Sequence, residues 1–175
     1  PTDVQALTHD DVTEAVTLAE GDLFRALQRL PGVSARDVLT AEPWVRGASW
    51  DQTRVRFDGL PLHNPLHAFG VLSGVNTDAV GSAVLHPGVR PTALGDGAAA
   101  VLDLRSRRGG VGTSDDGAPR AFRALGELSL ITARVAADGE AFGGRGAWLV
   151  SVRRGHPVPL ETESGDEVLP YALRD

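Results

Sequence analysis

Neither cysteine nor lysine occurs in the 175 residues. Without cysteine there is no disulfide, no thiolate nucleophile and no Cys-ligated zinc, although the redox compartment stays open. Without lysine all 17 basic residues are arginine, which excludes a phosphate-loop lysine, a Schiff-base lysine and a lysine general base. Aromatic residues make up only 5%, so a core must rest on Val, Leu and Ala. No apolar run approaches the ~18 residues of a spanning helix, and no signal-peptide pattern is present. The chain opens at Pro1, which suggests a processed or chosen boundary with any upstream segment out of view.

The sequence is rich in turn formers, with 21 glycines and 11 prolines beside 42% apolar residues, and reads as a loop-rich, partly β protein. Its length suits one domain, or a compact domain with an appended piece, able to bury roughly two-thirds of its surface. The net charge of -6 is unevenly spread: residues 1–42 hold three arginines against eight carboxylates, residues 43–110 seven against five, and residues 111–175 seven against ten. Nucleic acid is not an expected partner. Binding it needs a clustered positive surface, and the one cluster, Arg105, Arg107 and Arg108, reads as a solvated strand end.

Along the chain, Thr8-His9-Asp10-Asp11 spells a capping box opening a short helix over residues 9–16. Leu23, Phe24, Leu27 and Leu30 recur at helical spacing before Pro31-Gly32, which predicts a second helix over 21–30. Alternation then predicts strands at Trp44–Gly47 and Thr53–Phe57, joined by Ala48 to Gln52, with a turn at Asp58-Gly59. Asn76 caps a single helical turn before a strand at Ser82–Leu85, and a fourth strand covers Ala99 to Ser106. Residues 111–119 read as a linker. Two longer segments follow, Phe122 to Ala136 and Gly146 to Arg154, with Trp148, Val150 and Val152 alternating on one face of the second. Strands of ~9 to 11 residues are what a membrane barrel requires, and a solvated hairpin is the alternative on this pattern.

Two apparent chemical motifs dissolve on inspection. His63 and His67 have the spacing of two ligands on one helical face, with Asp58 as a carboxylate, but Pro65 between them breaks that helix. Gly95-Asp-Gly-Ala-Ala-Ala100 has the spelling of a dinucleotide fingerprint, yet a β-like run follows it where the fingerprint needs a helix. No Gly-x-Ser-x-Gly elbow occurs. No catalytic residue, metal ligand or cofactor is therefore assigned, and no enzyme is expected.

The order Leu30-Pro-Gly-Val33, Val45-Arg-Gly47, Asp51-Gln-Thr53, Phe57-Asp-Gly-Leu-Pro61, Asn64-Pro65, Phe69-Gly70 and Val101-Leu-Asp-Leu104 resembles the plug domain of TonB-dependent outer-membrane receptors. The likeness covers about residues 5–110. The tail from Leu125 to Arg154, with Tyr171-Ala-Leu-Arg-Asp175, resembles the linker and first two barrel strands of one branch. The fold so implied is α+β: a small mixed sheet with short helices over residues 1–110, followed by a linker and a β-hairpin-like segment over 111–175.

That resemblance implies a non-catalytic plug inside a barrel of roughly 22 strands, blocking the lumen at the outer membrane and opening when a transducer pulls its periplasmic end. It makes Trp50, Asp51, His63, Asn64 and His67 candidate ligand contacts on outward loops. Arg46, Asp58 and Arg105 become candidate contacts to barrel strands of the same receptor or of another subunit. No transducer-binding box is recognisable before Val4, and two strands cannot close a barrel. The alternatives are a free-standing plug-derived subunit in the periplasm, acting as an interaction module, and a small metal-dependent hydrolase built on His63 and His67. The ligand stays open among iron chelate, vitamin, sugar or none.

Overall fold

The computed structural model describes residues 3–17, 20–36, 40–67, 70, 72–88, 92–95, 98–110, 122–129, 132–143 and 145–155. The chain divides into two compact units, Pro1–Gly109 and Gly110–Asp175, each taken by itself below. The sequence expectations for residues 111–119 and 171–175 lie outside the described residues.

In the first unit, strand β1 (Gln5–Thr8) leads into helix α1 (His9–Glu14). The capping box is present: the Thr8 hydroxyl accepts from the Asp11 amide, and the Asp11 carboxylate accepts from the Thr8 amide at 2.8 Å. A small pair, β2 (Val16–Thr17) and β3 (Glu20–Gly21), precedes helix α2 (Leu23–Leu27). Helix α2 is shorter than its apolar spacing predicts, because the amides of Arg29 and Leu30 turn to carbonyls three residues back, at Ala26 and Leu27. That 3-10 tightening closes the helix early. Gly21 lies against α1 so closely that a Cβ would fall 2.9 Å from the Thr13 carbonyl oxygen.

Strands β4 (Val33–Ala35) and β5 (Pro43–Val45) pair with each other, followed by β6 (Thr53–Phe57), β7 (Leu60–Leu62), β8 (Leu66–His67), β9 (Leu72–Ser73), β10 (Val80–Pro87) and β11 (Ala100–Ser106). The main sheet has the order β1-β10-β11-β6-β7, antiparallel except for the parallel β11–β6 pair. The two strands predicted at Trp44–Gly47 and Thr53–Phe57 follow each other in the chain but do not pair: β5 pairs with β4, and β6 with β11 and β7. Arg46 and Gly47 are not strand at all. Their φ values of +53° and +81° form a two-residue turn, closed by Val45 and Ala48 exchanging hydrogen bonds of 3.1 and 3.0 Å. Asp58 and Gly59, with φ of +48° and +84°, turn β6 into β7 in the same way, and here the sequence signal was sufficient.

One face of this sheet carries Leu7, Ala83, Leu85, Leu102, Leu104 and Val55, packed in one buried cluster with Val12, Leu23, Phe24 and Leu27 of the helices. The other face alternates to Arg54 and Arg56 on β6 and to Val101, Asp103 and Arg105 on β11. Leu23, Phe24 and Leu27 are almost wholly removed from water, each such burial contributing roughly 1.5–3 kcal/mol.

Asp22 fastens α2 to the rest of the unit. Its side chain is buried, its Oδ1 accepts from the Phe24 and Arg25 amides at 2.8 and 3.1 Å, and its Oδ2 accepts from the Ser73 amide at 2.7 Å. One carboxylate thus caps a helix and holds β9, 51 residues away.

The second unit is a meander of three strands, β12 (Phe122–Leu128), β13 (Thr132–Ala141) and β14 (Gly146–Gly155), one more than the sequence predicts. The segment read as one run from Phe122 to Ala136 folds back at Ser129, where no glycine or proline marks a turn. The Ser129 amide donates to the Thr132 carbonyl at 2.8 Å, and the Thr132 amide donates to Ser129 Oγ at 3.0 Å. Register sorts the side chains by face. Phe122, Trp148, Ala124, Ala137, Val150, Val135, Val152 and Leu128 share one face, with Phe122 and Trp148 rings 6.0 Å apart. Arg123, Glu127, Arg134, Asp138, Glu140 and Arg153 share the other with Leu125 and Leu149, while Arg154 falls on the first.

Replacing Asp22 by Ala should lower stability by about 2–4 kcal/mol, from the lost cap together with unsatisfied buried amides. Urea unfolding followed by tryptophan fluorescence checks this. A change within ~0.5 kcal/mol would show that the carboxylate does not fasten the unit.

Candidate functional site

The 3-10 turn Trp50–Gln52 precedes β6, and the loop after β7 runs through His63, Asn64 and Pro65 to β8. These two segments face each other across an open cleft of about 740 Å³. Trp50, Asp51, His63 and Asn64 line it, so four of the five candidate ligand contacts come together. Leu62, Pro65, Gln52, Thr53, Arg54 and Ala98 complete most of the wall. Of these, Arg54 could have been found from strand alternation, which sends it to the face opposite Val55. Ala98 falls in the stretch from Gly95 to Ala100, where the sequence offers only a fingerprint spelling that its context rejects.

Each wall is fixed by packing beneath it. The Trp50 ring stands edge-on to Phe24 of α2, 4.9 Å between centroids at 72°, an arrangement worth about 0.5–1.5 kcal/mol beyond area burial. Asp51 accepts from the Ser49 hydroxyl. On the facing loop Asn64 has φ +51°, a left-handed backbone that asparagine tolerates better than most residues, and its side chain is exposed.

His67 does not line the cleft. Its imidazole lies over Gly74, where an added Cβ would stand 2.2 Å from Cδ2. The Gly74 amide in turn donates to the Pro65 carbonyl at 2.8 Å. His63 and His67 are thus placed separately, and among the described residues no three His, Asp or Glu side chains converge as metal ligands.

Of the three candidate partner contacts, Asp58 and Arg105 are neighbours, and Arg46 is bonded elsewhere in the unit. The Arg46 guanidinium pairs with the Asp3 carboxylate, and its amide donates to the Gly32 carbonyl at 2.8 Å. Arg105 pairs with Asp103 at 2.8 Å. Asp103 is itself buried, and its Oδ1 has no partner among the described residues. Asp58 binds within the sheet: its Oδ1 accepts from the Ser106 amide at 3.0 Å, and its own amide donates to the Leu104 carbonyl at 2.9 Å. The hydrogen bonds from Ser106, with a smaller contribution from the Arg105 charge, hold the Asp58 carboxyl below the usual carboxylate range.

Residues 1–102 match the family model described as TonB-dependent Receptor Plug Domain. No curated protein matches the sequence. Among solved structures the chain is similar to a mutant form of the ferric enterobactin receptor PfeA of Pseudomonas aeruginosa, at 13% identity and a TM-score of 0.50, covering 88% of this chain and 24% of that one. It is also similar to the open form of the ferric-catecholate import receptor Fiu of E. coli K12, at 16% identity and a TM-score of 0.53, covering 89% of this chain and 22% of that one. The chain therefore spans about a quarter of the length of these receptors, and at such identity the likeness concerns the fold.

The lowered Asp58 carboxyl sets an expectation for acid. A carboxyl depressed in the folded state contributes stability above its unfolded value near ~3.9 and loses it as pH falls through the folded value. Asp58→Asn should therefore be less stable than the parent at pH 7, and the two should converge as pH falls through the folded value. Urea midpoints across that range check it. A difference that stays constant with pH would show that the charge plays no part.

Proposed function

The chain belongs to the TonB-dependent receptor plug domain family over residues 1–102, and from that premise we propose that it forms the plug and opening barrel strands of an outer-membrane receptor. The role is non-catalytic: the first unit occupies a barrel lumen, and the cleft between the Trp50 and His63 segments meets ligand. Arg46, Asp58 and Arg105 remain its candidate contacts with surrounding barrel strands.

The observation that carries this reading is the sidedness of the second unit. Phe122, Leu128, Val135, Val150 and Val152 are each more than half exposed, all on one face. The opposite face carries ion pairs such as Arg134–Glu127. Apolar residues outward and polar residues inward, on strands of 10 residues in β13 and β14, is the pattern of a sheet between lipid and a polar lumen. Among the described residues no helix is long and apolar enough to cross a membrane, so strands are the elements that this reading places in lipid. A free-standing periplasmic subunit would leave the same apolar face against water, where so large a patch calls for a cover. Further strands, beyond β14 or from another subunit, would close the sheet.

The test uses the two faces against each other. Refolded from urea in the presence of phosphatidylcholine–phosphatidylglycerol vesicles, the 175-residue chain should float with lipid. Val150→Arg, on the apolar face, should weaken association by about 2–4 kcal/mol. Ala147→Arg, on the polar face opposite Glu140, should leave it unchanged. Equal effects of the two arginines, or no flotation of the parent, would contradict the reading.

A further inference from the structure

We infer that the cleft takes an uncharged, hydroxyl-rich ligand with the chemistry of a short oligosaccharide, an inference that rests on reading the first unit as a plug that meets ligand there. Charge is the first argument. Among the described lining residues one carboxylate, Asp51, stands against one guanidinium, Arg54, and His63 is the remaining titratable side chain. Such a lining has no excess of either sign to concentrate an anion or a cation, and no three metal-ligating side chains meet among the described residues.

The hydrogen-bonding groups are the second argument. Gln52 and Asn64 each carry an amide that both donates and accepts, Asp51 accepts, and the His63 ring adds two nitrogens. This mixture matches hydroxyl groups, which also donate and accept, better than it matches a group that only accepts.

Shape is the third. Trp50 contributes a flat apolar ring that Phe24 holds edge-on from below. A sugar ring offers one face of C–H groups to such a surface and a rim of hydroxyls to the polar side chains around it. A cleft of about 740 Å³ falls within the range of small-molecule sites, and its open form suits a chain of a few sugar units.

The test is isothermal titration of the detergent-solubilised 175-residue chain with two kinds of probe. One is a panel of neutral trisaccharides built from glucose, galactose, xylose or N-acetylglucosamine; the other is the anionic ferric tris(catecholate) complex. Binding of at least one trisaccharide is expected, with no heat from the ferric complex. His63→Ala and Asn64→Ala, both in the exposed loop and away from the core, should each weaken trisaccharide binding at least tenfold, and Trp50→Ala more. Ferric tris(catecholate) binding that Arg54→Gln abolishes would overturn the ligand class while leaving the cleft a ligand site. Absence of binding by both probes, or trisaccharide binding indifferent to the loop variants, would overturn the assignment of the cleft to ligand as well.

Discussion

The first unit depends on one buried carboxylate that accepts three backbone hydrogen bonds from two distant segments. Asp22 takes the Phe24 and Arg25 amides with one oxygen and the Ser73 amide with the other. Charge-assisted bonds to backbone amides are about twice as strong as neutral ones, and a buried charge persists only when it is satisfied in this way. The consequences run outward to the cleft. Fixing the start of α2 fixes Phe24, which props Trp50 on one wall. Holding Ser73 holds β9, whose partner β8 continues directly from the loop that carries His63 and Asn64 on the other wall. Both walls are thus referenced to the same side chain.

The two units obey different rules. In the first, apolar residues gather on the sheet face covered by short helices, and arginines take the other face, where Arg56 reaches the carbonyls of Gly59 and Ala93 at 3.0 and 3.1 Å. With guanidinium as the sole cationic head group apart from histidine, charged contacts to carbonyls and carboxylates can be forked and planar. In the second unit most of the exposed large apolar residues stand on one side, with Leu125 on the other. The polar side is internally connected, with Asp138 buried, accepting from the Gly110 amide at 3.1 Å, and Arg123 4.0 Å away. That division is the physical ground of the proposal that places the sheet between lipid and a lumen.

How much of this was legible in the sequence depended on the range of each interaction. The capping box of Thr8 and Asp11 and the Asp58-Gly59 turn are written in residues at most three apart, and both form. The family resemblance assigned Trp50, Asp51, His63 and Asn64 to two outward loops, and all four line one cleft. His67 shared that prediction but packs over Gly74, a contact that depends on the β8–β9 pairing rather than on spacing. Asp22 carried no local mark beyond a capping residue type, since its decisive partner is Ser73. The third strand of the second unit was hidden because Ser129 closes its turn through its hydroxyl, in a stretch that reads as one continuous segment.

Native-state hydrogen exchange at the amides of Phe24, Arg25 and Ser73 tests the central claim most directly. If one carboxylate organises the unit, the three should open together with a common free energy, equal to that of the buried β11 amides, despite lying in separate segments. A Ser73 amide that exchanges orders of magnitude faster than those of Phe24 and Arg25 would contradict the account, because the two walls of the cleft would then be held independently.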